Sequence, residues 1–223
     1  MRNDGHQFLS GFLLEWPGGA VDRQVLARCP GVCFRRPVPD CRWEEHVYRS
    51  ATPLRREDLL GADPPYEYVL ISRFSGARLL LLGPNRDVAE HVVEDELASH
   101  IRPAFRKVPI AVHNLSRAIV ARPTVYVLSY VHARIPAFGA SLRSVSFYGD
   151  DLGEADLFAG NIDYMDVFTC GLRRAVGGPE LLRVSGDGMV SFRYANPTSV
   201  LQIEEALSFL KQQGYLLTEF LDH

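Results

Sequence analysis

Four consecutive leucines, Leu79 to Leu82, are the densest apolar run in the chain, and Gly83-Pro84 breaks it. A run this short and continuous predicts a strand buried on both faces. Before it, Tyr66 to Phe74 reads as a partner strand across the Ser75-Gly76-Ala77 turn. After it, Asn85 is placed to cap a helix whose apolar positions are Val88, Val92, Val93, Leu97 and Ile101. The opposite face carries Glu90, Glu94, Asp95 and Glu96, a solvated charge run that also holds the i,i+4 pairs His91/Asp95 and Glu96/His100. The same strand, turn, strand, breaker, helix order recurs downstream. Thr124–Arg134 and Leu142–Tyr148, both rich in β-branched and aromatic residues, are joined by a connection holding Pro136 and Gly139, and in the second Leu142, Val145 and Phe147 alternate imperfectly with Arg143, Ser144 and Ser146. Leu181–Val184 and Met189–Tyr194 flank Ser185-Gly186-Asp187-Gly188, a strong hairpin turn, and a final helix opens at Asn196-Pro197 and ends near Gly214.

Between these units, Ile110–Ala121 predicts a helix with Val112, Leu115, Ala118 and Ile119 inward, and Glu154–Phe158 a helical turn. Ile162–Arg174 fits helix or strand equally. Near the N-terminus, Gln7–Trp16 reads as a strand ended by Pro17-Gly18-Gly19. Residues 21–50 are irregular, and Thr52-Pro53 opens a short helix over 54–60 before the stiff Asp63-Pro64-Pro65 connector. The pattern predicts an α+β fold: an antiparallel or mixed sheet built from β-hairpins, with helices packed mainly on one face. The expected organisation is an irregular segment over 1–62, packed on or beside an α+β domain over 63–223.

Composition changes this picture little. With 223 residues, 47% of them hydrophobic and a net charge of -3, the chain is long enough to bury a sizeable core. No apolar run approaches the roughly 20 residues that span a bilayer. Ser10, Gly11 and Glu15 interrupt the first apolar stretch, so it does not read as a signal peptide. The expected location is cytoplasmic, with reduced thiols. Only Lys107 and Lys211 are lysines among 24 basic residues. Arginine suits phosphate and carboxylate recognition, but a coding bias accounts for the excess, and the slight acidity gives nucleic acid no support as a partner.

Two clusters carry metal-ligating chemistry. Cys29, Cys33, Cys41 and His46 follow C-x3-C-x7-C-x4-H, a donor set able to complete a tetrahedral zinc shell, though not at a common zinc-module spacing; buried thiols are the simpler reading. Tyr148-Gly149-Asp150-Asp151 ends a predicted strand. It resembles the metal-binding turn of template-dependent RNA polymerases, in which adjacent aspartates hold divalent ions. The resemblance covers four residues; a second aspartate motif, a nucleotide-selecting helix and sufficient chain for fingers and thumb are absent. With Asp150, Asp151, Glu154, Asp156, Asp163 and Asp166 it implies an oxygen-rich magnesium or manganese site, for which Asp150, Asp151, Asp163 and Asp166 are the principal candidates. The simpler reading is a turn in which Asp151 caps a helical segment.

No phosphate-cradling glycine loop, nucleophile elbow or H-E-x-x-H helix occurs. His113, His132 and Cys170 stand in apolar segments without sequence partners. By elimination, the expected function is that of a non-catalytic interaction or regulatory protein, a subunit of a larger complex that pairs with a protein partner or with itself through exposed sheet edges. The alternative is a small divalent-metal hydrolase or nucleotidyl-transfer enzyme using Asp150 and Asp151.

Overall fold

A computed structural model of the chain describes residues 7–37, 43–50, 66–73, 78–83, 85–121, 126–138, 144–175 and 180–194. The helix expected over 54–60, the connector at 63–65, the final helix from Asn196 and Cys41 lie outside them. The chain divides into two compact units, residues 7–108 and the segment from Pro109 onward. Both are α+β, with antiparallel strand pairing throughout.

In the first unit, β1 (Gln7–Glu15), β2 (Val32–Pro37), β3 (Trp43–Ser50), β4 (Tyr66–Arg73) and β5 (Arg78–Gly83) form a sheet in the order β2-β3-β4-β5-β1. A short helix, α1 (Arg23–Leu26), precedes β2, and Asp22 caps it by accepting from the Val25 N–H at 2.8 Å. β3 pairs with β4 from Trp43 opposite Arg73 to Ser50 opposite Tyr66, so residues on both sides of position 62 share one sheet. Leu79 to Leu82, whose side chains alternate between the two faces of the sheet, are all wholly buried, which explains why no polar residue interrupts them; within the sheet β5 lies between β4 and β1.

Asn85 caps α2 (Arg86–His91), its Oδ1 accepting from the Val88 N–H at 2.9 Å. The helix continues through a π-helical stretch, Val92–Leu97, into α3 (Ala98–His100). Val88, Val92, Val93, Leu97 and Ile101 are all buried, as their spacing predicts. The wider π turn keeps Val92 and Leu97, five residues apart, on the core side. β6 (Arg106–Lys107) then pairs with β1.

In the second unit, α4 (Val112–Ala121) is followed by β7 (Tyr126–Arg134), β8 (Val145–Tyr148), β9 (Asp166–Arg174), β10 (Glu180–Ser185) and β11 (Met189–Tyr194), in the sheet order β11-β10-β9-β7-β8. Buried Val112, Leu115 and Ile119 mark the face of α4 that packs on β7 and β9. Single-turn helices occupy the chain between β8 and β9, including α5 (Asp156–Ala159). The ambiguous segment 162–174 divides into a 3-10 turn at Ile162–Tyr164 and strand β9, because β9 finds partners on both sides in β7 and β10. The β10–β11 turn needs its glycine, since Gly188 adopts φ 85°.

Candidate functional site at the end strand of the second unit

Among the described strands β8 closes one end of its sheet, and it pairs with β7 from Ala133 opposite Val145 to Tyr130 opposite Tyr148. Its side chains alternate: Val145 and Phe147 are half-buried, while Ser146 and Tyr148 are exposed. Phe147 packs edge-on against the buried Phe158 ring, at 5.4 Å between centroids. On the opposite face, Tyr148 lies against Tyr130 at 4.9 Å, and the Arg183 guanidinium sits 4.2 Å from the Tyr130 ring centre. His132 Nδ1 lies 3.0 Å from Ser146 Oγ, tying the same strands together.

Val145 and Phe147 also form one wall of a cavity of about 1000 Å³. Ile135, Met165, Val167 and Leu157 make most of the remaining lining apolar, with Tyr164 and His113 contributing polar groups. His113 Nδ1 is enclosed and has no hydrogen-bond partner among the described residues. Asp163 and Asp166 stand at the cavity too, and each is neutralised by an arginine. Arg117 Nε lies 2.5 Å from Asp163 Oδ1, and Arg134 donates from Nε and Nη2 to Asp166 Oδ2 at 2.9 and 2.6 Å. With these charges paired, the cavity suits apolar, uncharged groups.

The expected divalent site is therefore distributed over separate partners. Asp150, almost fully exposed, has Arg173 Nη2 at 3.4 Å from its Oδ1, and its backbone carbonyl accepts from Arg173 Nε. Asp151 Oδ1 accepts from the Gly153 N–H at 2.8 Å and caps the 3-10 turn Leu152–Glu154, as the simpler reading expects. Asp163 and Asp166 are held by Arg117 and Arg134. In the zinc candidate, Cys29 is buried and Cys33 exposed. Phe34 is opposite His46 and Cys33 opposite Val47, so strand alternation sends Cys33 and His46 to opposite faces of the β2–β3 ribbon. The 5.7 Å contact between the Phe34 and His46 rings agrees with that placement. Among the described residues, no three His, Cys, Asp or Glu side chains are grouped to hold a metal. No described helix is long and apolar enough to cross a membrane.

Sequence reasoning did not find the cavity. Its local signal is weak: Leu157 and Tyr164, large side chains among the acidic residues of 150–166, line it and are exposed. Comparison with protein-family models gives no match, and comparison with curated proteins gives no significant one.

Proposed function

We propose that the protein is a non-catalytic interaction or regulatory protein, a subunit of a larger complex that acts in the cytoplasm and engages a protein partner along β8. The observation that carries this reading is an uncharged end strand beside an apolar cavity. Ser144 to Tyr148 contains neither a charge nor a proline, the two devices by which exposed edges are commonly protected from pairing. By contrast β2, an end strand of the first unit's sheet, contains Arg35, Arg36 and Pro37. An extended segment added to β8 would gain main-chain hydrogen bonds, while its alternate side chains would meet the apolar wall formed by Val145 and Phe147. A metal-dependent reaction would first require Asp150, Asp163 and Asp166 to leave their arginines and Asp151 to leave its turn. Size-exclusion chromatography of the full chain in cell extract tests the proposal. We expect elution well above the monomer mass; elution as a monomer, both in extract and after purification, would overturn it.

A further inference from the structure

Resting on the interaction reading, we propose that β8 pairs antiparallel with β8 of a second copy of this chain, Ser146 opposite Ser146 across a two-fold axis. The main-chain directions set this geometry. Gly149 N–H donates to the Ser129 carbonyl at 3.1 Å, and the β7–β8 register places Phe147 opposite Val131 and Val145 opposite Ala133. In an antiparallel ladder, alternate residues bond to the same neighbour. Val145, Phe147 and Gly149 therefore bond toward β7, and Ser146 and Tyr148 turn their N–H and C=O groups outward. Ser144, one step earlier in the same phase, adds a third outward pair.

Self-pairing centred on Ser146 sets Ser146 against Ser146 and Ser144 against Tyr148, using all three outward residues. Moving the centre to Val145 or Phe147 leaves one of the three without a partner within Ser144–Tyr148. The Ser146-centred register also sets Phe147 against the Val145 of the second copy, on the face of the cavity wall. Aromatic and β-branched residues are favourable cross-strand pairs. No like charges meet along this stretch, so a closed, isologous pair forms without electrostatic opposition at the seam.

The exposed apolar surface is on the scale that a dimer needs. Tyr148 is 73% exposed, Tyr164 71% and Leu157 76%. Each tyrosine alone offers roughly 150 Å². Taken over two copies with Leu157 and the strand backbones, this approaches the roughly 1,000 Å² below which specific interfaces are uncommon.

Sedimentation equilibrium of the purified full chain across the micromolar range tests the pairing, with folding followed by circular dichroism. Wild type is expected to be a dimer. Ser146→Pro removes the outward N–H but leaves the bonds to β7, which come from Val145 and Phe147, and an edge position tolerates proline. It is expected to weaken dimerisation at least tenfold, while Ser146→Ala keeps the dimer. Ser146→Cys is expected to form a covalent dimer on mild oxidation, above the wild-type level, because facing residues in a hydrogen-bonded pair lie about 5.5 Å apart, within disulfide reach. If Ser146→Pro does not fold, Ser146→Cys decides. A folded wild type that stays monomeric, a dimer indifferent to Ser146→Pro, or no excess crosslinking by Ser146→Cys overturns self-pairing. A purified monomer that still elutes in a larger assembly from extract removes the second copy and leaves the interaction reading in place; a monomer in both removes both.

Discussion

Lys107 shows how a residue with no sequence signal acquires a role. Burial lowers its affinity for a proton, but hydrogen bonds and charge attraction from Glu90 and Glu94 outweigh that, so its pKa is raised above 10.5. Its Nζ donates to Glu90 and, at 2.8 Å, to Glu94 Oε1, and stands 4.4 Å from the ring centre of wholly buried Phe12. Lys107→Met leaves two neighbouring carboxylates without their shared cation. The expected loss is about 1–2 kcal/mol, toward the lower end because Glu94 is more than half exposed. The sign with pH follows from the raised pKa: the contribution is fully present below the unfolded value and is lost as pH rises through the folded one. The stability gap between wild type and Lys107→Met should hold constant from neutral pH to near pH 10, then narrow in more alkaline solution. Urea titrations across that range measure it, and a gap that instead widened above pH 10 would contradict the assignment.

At the scale of elements, the local patterns were legible. The leucines of β5, the Asn85 cap, the apolar stripe of Val88 to Ile101 and the turn before β11 follow from short-range chemistry, and each is present. Gly11 was not legible in the same way. In the sequence it only interrupts an apolar stretch, whereas in the sheet its α-carbon faces β5, where an added Cβ would lie 1.6 Å from the Leu81 carbonyl oxygen. Backbone cannot yield as a flexible side chain can. Gly11→Ala is therefore expected to separate β1 from β5 and to cost about 2–4 kcal/mol in chemical denaturation; an effect below 0.5 kcal/mol, the ordinary range for a surface change, would show that the close approach is not maintained in solution. The π turn at Val92–Leu97 has a similar origin, because the periodicity predicts helix and only packing sets its width.

On the scale of the whole molecule, the proposed self-pairing would be linked to folding. If β8 pairs with a second copy only when folded, association adds to stability by mass action. The melting temperature of wild type should rise with protein concentration, and that of Ser146→Pro should rise less; calorimetry at two concentrations differing about a hundredfold corresponds to roughly 2.7 kcal/mol for a site near saturation. Parallel melting of both proteins at every concentration would mean that β8 contributes nothing to association.

The sequence by itself determined the class of fold and the positions of β1, β4, β5, β7, β8, β10, β11 and the helices from Arg86 and Val112, because strand alternation, helical periodicity, caps and breakers depend on residues within a few positions of one another; β2 and β3, in a stretch that reads as irregular, and β9, which fits helix or strand equally, became strands through their pairing with distant segments. It also supplied the acidic residues at 150–166 and the thiols at 29–41, but not their partners. Only the tertiary structure decided that Arg117, Arg134 and Arg173 take up Asp163, Asp166 and Asp150, that Cys33 and His46 face apart, and that β8 ends its sheet beside an apolar cavity. The physical reason is that strand order and ion pairing are set by contacts between distant segments. Two carboxylates close in sequence can be drawn to different arginines as soon as the sheet brings those arginines nearer than the carboxylates are to each other.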